Sequence, residues 1–208
     1  TISRQTDRGS EIAMNILSFA RPVKKSKEYC NLTAIMESIL FLQKRQLAGE
    51  KISVQLDSTL KSNVYVNEGQ MQQVFLNLLI NARHALIPLG GGTIHISIRE
   101  EDESIVISVS DNGTGIKNDI KDKIFLPFFT TKGAFTQNDV VIPGTGLGLS
   151  IVENIVRTYE GTISIESEEG KGSRFTIRLP IRKAPVKEEK NPKEKYRNAG
   201  YEDIPIAI

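Results

Sequence analysis

Apolar residues recur along this chain in two periods, and the switches between them predict its elements. Residues 1 to about 20 place Ile2, Ile12, Ala13, Ile16, Leu17 and Ala20 in an approximate helical stripe that Pro22 ends. This stripe carries too little apolar surface to stand alone and predicts a helix that packs on a partner helix. Arg21 to Lys27 reads as a basic, polar hinge. From Tyr29 the pattern tightens. It predicts a short strand near Glu28 to Leu32, a helix from Thr33 to about Ala48, and strands at Ile52 to Leu56 and Val64 to Val66. Asn67 reads as the N-cap of a long helix from about Glu68 to Ile87, stopped by Pro88. Thr93 to Arg99 and Ser104 to Ser110 alternate in period two around an acidic turn, the pattern of a hairpin. A helix from about Leu147 to Tyr159, closed by Gly161, precedes a last hairpin that pairs Thr162–Ser167 with Ser173–Leu179. Beyond Pro180 the chain turns Lys-, Glu- and Pro-rich, the composition of a solvated linker, and no internal repeat appears.

The long helix is the most readable element. At 100° per residue, Met71, Val74, Phe75, Leu78, Leu79, Ala82, Ala85 and Leu86 share one face, with Leu76 and Ile80 on the far side. Such a helix is apolar almost all round and is expected to be deeply buried. Yet Gln70, Gln73, Asn77, Asn81 and His84 gather on one flank. Buried amides need partners, because an unmade hydrogen bond costs about 1–3 kcal/mol. Two readings are open: an internal amide network with bound water, or a wall facing phosphate and a hard cation such as Mg²⁺, for which amide oxygens are suitable ligands.

Downstream segments favour the second. Asp111-Asn112-Gly113-Thr114-Gly115-Ile116 follows an apolar strand, where a carboxylate is costly unless paired; alone, it would also serve as a tight turn. Gly144-Thr145-Gly146-Leu147-Gly148 opens a helix, and the bare amides of a helix N-terminus are a ready phosphate site. Between them lies Phe125-Leu126-Pro127-Phe128-Phe129-Thr130-Thr131-Lys132, whose phenylalanines read mainly as core. No Walker lysine, acidic ribose partner of a dinucleotide fold, or eukaryotic-kinase catalytic motif is present.

Together with Asn77-Leu78-Leu79-Ile80-Asn81-Ala82, these segments, in this order, resemble the ATP-binding domain of bacterial two-component sensor histidine kinases. The resemblance spans residues 8 to 182. It implies an α+β fold: a two-layer sandwich in which a mixed, mostly antiparallel sheet is covered on one face by about three helices. It also implies three parts: residues 1–27, the end of a dimerisation hairpin whose phosphoacceptor helix is absent; 28–182, the catalytic domain; and 183–208, a charged tail. By resemblance, Asn81 would ligate Mg²⁺ and Asn77 would lie near the phosphates. Asp111 would accept from the exocyclic amine of adenine, Gly113 and Gly115 would let backbone pass close to the ring, and Gly144, Thr145, Gly146, Leu147 and Gly148 would cradle phosphate. Lys132 would reach the terminal phosphate, and His84 would stand where some relatives place a phosphate-touching lysine. Thr114 replaces a proline common in the family, and the stretch from Gly133 to Pro143 is longer than usual.

In related ATPases a glutamate acts as general base four residues before the metal-binding asparagine. This chain has Asn77 there, as histidine kinases do, and an amide cannot take up a proton at neutral pH. The expected reaction is therefore γ-phosphoryl transfer from Mg·ATP to a histidine, relayed to a response-regulator aspartate. The expected partners are ATP, the upstream histidine helix, a receiver domain and a second copy in a homodimer. His84 and His95 lack the acidic neighbour expected beside a phosphoacceptor and read as structural. A regulatory nucleotide module without kinase activity, or a serine kinase of the anti-sigma type, are the alternatives; Asn77 argues against the latter.

Composition agrees. Of 208 residues 39% are hydrophobic and 25% charged, and 27 basic against 25 acidic residues leave a net charge of +2, which suggests no nucleic-acid surface. A lone Cys30 leaves no internal disulfide or Cys-based zinc site. With that cysteine usage a reduced, cytoplasmic setting is the expectation. No run approaches 18 apolar residues and no signal peptide is visible; Thr1 at the start reads as the beginning of a fragment whose parent protein is open to membrane segments upstream.

Overall fold

A computed structural model describes residues 26–131 and 145–181. The expected dimerisation helix, Lys132, Gly144 and the charged tail lie outside the described residues.

The chain begins with β1 (Glu28–Cys30), then α1 (Leu32–Gly49), β2 (Ile52–Ser58), β3 (Val64–Val66) and α2 (Glu68–Leu86). The hairpin β4 (Gly92–Glu101) and β5 (Ser104–Asp111) follows, then α3 (Gly148–Thr158) and the hairpin β6 (Thr162–Glu168) and β7 (Gly172–Pro180). Two boundaries differ from the sequence reading for a local reason. The first strand stops at Cys30 because Asn31 turns out of it, its Oδ1 accepting from the Ala34 amide at 3.0 Å as the N-cap of α1. Pro88 does not end α2 abruptly; it sits in a one-turn 3₁₀ helix, Ile87–Leu89, where the left-handed Gly90 closes the chain.

Five strands pair in the order β2-β4-β5-β7-β6, with only β2 and β4 parallel; β1 and β3 form a separate antiparallel pair. The parallel pair requires a long crossover, and α2 lies within it. Register stacks the apolar faces: Ile96 opposite Val109 and Val109 opposite Phe175, Ile98 opposite Ile107 and Ile107 opposite Ile177. These side chains are buried beneath the helices, with Met71, Val74, Phe75, Leu78 and Leu79 of α2 at the centre. Burying one such side chain contributes about 1.5–3 kcal/mol, so the alternation and the α2 stripe together set the layer order. Leu76 and Ile80 are only half-buried, a shallower setting than expected. The architecture is the expected α+β sandwich, mixed and mostly antiparallel, with three helices on one face.

Candidate active site

Two helices bring the polar flank and the glycine loop together. Asn67 caps α2 through a 3.0 Å bond from the Gln70 amide, and Asn77, further along the helix, meets the start of α3. At the start of α3, a Cβ built on Gly148 would lie 3.4 Å from Asn77 Oδ1, so the first turn of α3 rests directly over that amide. Asn77 Nδ2 is buried and makes no hydrogen bond among the described residues. Among the described residues no side chain caps α3 at Leu147, and the Leu147 amide donates to Thr145 Oγ1 at 3.4 Å. The Asn77 amide, its Nδ2 donor unmet, thus lies beside the positive N-terminal end of α3, and both are groups that suit an anion. Asn81 is half-buried one turn further along, and His84 is buried at 5% exposure.

The carboxylate stands at the end of β5. Asp111 Oδ1 accepts from the Gly113 amide at 2.9 Å, and the carboxylate also accepts from the Ser173 amide. Burial pushes its pKa above the usual carboxylate value, outweighing the two hydrogen bonds that pull it down. Three anchors hold the following loop. The Thr114 amide donates to Ala85 O at 3.0 Å, the Thr93 amide to Asn112 Oδ1 at 2.8 Å, and the Ile116 amide to Ser167 Oγ at 2.9 Å. Gly113 is pressed against the Ala85 backbone, where a Cβ would come within 2.7 Å. Gly115, at φ +67°, leaves no room for a Cβ beside the Glu168 carbonyl. The two glycines expected to permit close approach to a ring are thus required by the packing of the loop on α2 and on the β6–β7 turn.

Sequence reasoning missed Ser173. It is buried at 7% exposure opposite Asp111 in the β5–β7 ladder, its hydroxyl 2.9 Å from Ser167 Oγ. The available signal was a small hydroxyl residue just after Gly172 at the head of an alternating apolar strand. Its meaning depended on β7 pairing with β5, which no local pattern reveals.

The phenylalanine segment departs from its reading as core. Phe125 and Phe129 pack against the core, but Phe128 is 74% exposed and held at φ +64°, an unusual conformation for a bulky residue. Gly146, at φ +68°, closes on it: a Cβ there would lie 2.5 Å from the Phe128 carbonyl carbon. Residues on either side of the undescribed stretch 132–144 therefore meet, Gly146 against Phe128, and of the glycine segment Gly148 arrives beside Asn77, while Lys132 and Gly144 are not described.

Residues 66–183 match the Histidine kinase-, DNA gyrase B-, and HSP90-like ATPase family. The chain belongs to this family of ATPases. The match takes in every described residue of the site, from Asn77 to Ser173. Among curated proteins the chain is 33% identical over 183 residues to the sensor histidine kinase ZraS of Salmonella typhimurium, covering 86% of this chain and 37% of that protein. It is 35% identical over 194 residues to the sensor kinase CckA of Brucella abortus, covering 86% of this chain and 20% of that one. The chain thus spans little more than a third of the length of ZraS. Among solved structures, the catalytic domain of the histidine kinase ThkA is similar at TM-score 0.64 and 28% identity, over 75% of this chain and 98% of that one. Full-length ShkA in complex with AMPPNP shares the fold at TM-score 0.67 and 22% identity, over 88% of this chain and 38% of that one. Among the described residues no helix is long and apolar enough to cross a membrane.

Proposed function

We propose that this chain is the catalytic domain of a sensor histidine kinase, binding Mg·ATP and supporting transfer of the γ-phosphoryl to a histidine outside these 208 residues. One observation carries the reading: the buried Asn77 amide, unmet among the described residues, beside the N-terminus of α3, in a fold that also holds a desolvated carboxylate, Asp111, at the end of β5. Asp111, held by the Gly113 and Ser173 amides, would present its remaining acceptor capacity to the adenine amine. The α3 amides and Asn77 would hold phosphate oxygens. Asn81 Oδ1 would offer a hard oxygen to Mg²⁺, and Lys132 would add positive charge at the terminal phosphate. A bound Mg²⁺ would supply charge neutralisation between the phosphates.

Nothing at position 77 can take a proton, so this chain's residues would act by positioning and by meeting negative charge with preorganised donors. An imidazole nucleophile needs less help than water, which suits such a site. The receiving histidine would sit on a helix upstream of residues 1–27, with the catalytic domain at 28–182 and residues 183–208 as a tail. The whole protein would dimerise, pass its phosphate to a receiver-domain aspartate, and place this domain in the cytoplasm, whether or not the parent is membrane-anchored.

The test is phosphotransfer from γ-labelled Mg·ATP in the full-length protein, with Asn81→Ala as control. Acid-labile, base-stable label that disappears in the control is the expected result. ATP binding without label on any histidine would sink the kinase reading and leave a regulatory nucleotide module.

A further inference from the structure

The two helices that carry the site are joined far from it. Asn67, at the start of α2, receives Tyr159, the residue just past α3: the Asn67 amide donates to Tyr159 Oη at 2.8 Å. The Tyr159 hydroxyl then donates to Gln70 Oε1 at 2.6 Å, while the Gln70 amide returns to Asn67 Oδ1 at 3.0 Å. Gln70, grouped by sequence with the amide flank, is thus engaged here. Burial keeps the Tyr159 phenol protonated by raising its pKa, so it remains a donor. The same junction receives the chain arriving from upstream. Asn67 Nδ2 donates to Ser26 O at 3.3 Å, and Lys27 Nζ lies 4.5 Å from the centre of the Tyr159 ring.

The helices run antiparallel. Asn67 meets Tyr159 at one end and Asn77 meets Gly148 at the other, about 15 Å away at 1.5 Å per residue. Two packed helices pinned at one end cannot slide there, so a displacement at the pin is carried along them to the other end. We propose that Tyr159 is a positioning residue. Its hydroxyl locks α2 to α3 where the upstream segment joins, so that the placement of Ser26 and Lys27 sets the gap between Asn77 and Gly148. This rests on the reading of that gap as the phosphate site. Reciprocity then requires that nucleotide in the gap be felt at Ser26 and Lys27.

Hydrogen exchange on the 208-residue chain, with and without saturating Mg·ATP, tests this alongside a direct ATP-binding titration. In the unsubstituted chain, Mg·ATP is expected to slow exchange of the amides at 26–30 by about fivefold. Tyr159→Phe, which removes only the hydroxyl, is expected to bind ATP within about threefold of normal yet lose that response. Gln70→Leu, removing the acceptor from the other side, should behave alike, and Gln70→Glu, which keeps an acceptor, should retain the response. If ATP binds and the amides at 26–30 do not respond, or if both Tyr159→Phe and Gln70→Leu respond as the unsubstituted chain does, the junction is merely structural and the inference falls. Failure of the unsubstituted chain to bind ATP would instead overturn the proposed function, and this inference with it.

Discussion

Asp111→Asn tests the base-binding end of the site with the least change in shape. The carboxylate already accepts from two backbone amides, Gly113 and Ser173, and has lone pairs left for a ligand donor. Asparagine has one oxygen. Its NH₂ must point either at a backbone N–H that then has no acceptor, or at the adenine amine, donor against donor. Losing a hydrogen bond to a charged group costs about 1.5–3 kcal/mol, which is roughly a 10- to 150-fold loss of ATP affinity. Fold stability should change far less, because relief of a desolvated charge offsets one weakened backbone bond. The pH dependence has a definite sign. The folded pKa of Asp111 is raised above its ordinary value of 3.8, so the native state binds the extra proton and stability falls as pH rises through that window. The asparagine variant lacks this fall, so its stability relative to the unsubstituted chain should improve as pH rises through and above the ordinary carboxylate range. Titration calorimetry with ATP, and thermal melts across that range, would measure both. An Asp111→Asn chain that binds ATP within about threefold of normal would refute the assignment of this carboxylate to the base.

Three further substitutions separate packing from ligand contact. Gly115→Ala forces a Cβ into the Glu168 carbonyl at a positive φ and should cost about 3 kcal/mol or more, seen as a large drop in melting temperature. Gly148→Ala meets Asn77 Oδ1 only at 3.4 Å, so melting should barely move while ATP affinity falls about tenfold through crowding of the phosphate end; unchanged affinity would take Gly148 away from the ligand. Asn81→Asp adds a charge at the proposed metal position and should shift the Mg²⁺ concentration needed for ATP binding, whereas an unchanged Mg²⁺ titration would remove Asn81 from the metal site.

Much of the candidate site was legible because its residues belong to local patterns. Asn67 announced a helix start and proved to be one, and the flank bearing Asn77 and Asn81 followed from helical geometry alone. The Asp111 turn and the Gly148 helix start were equally local, dictated by glycine, by capping and by a strand's end. Phe128 was misjudged because an aromatic residue in an apolar run reads as core, while its exposure follows from a backbone turn closed by Gly146.

Period-two alternation states which side chains of a strand share a face, but not which strand lies beside it. Pairing of β2 with β4 in parallel, and of β5 with β7, therefore had to come from the folded chain, and with it Ser173 at the Asp111 carboxylate. The same holds for Tyr159, 89 residues from the Gln70 whose oxygen it reaches. Local periodicity and capping are settled by interactions a few residues long and so are written in the order of residues. Contacts across the sheet and between helices depend on the closure of long loops around one shared core, and only the assembled tertiary structure chooses among them.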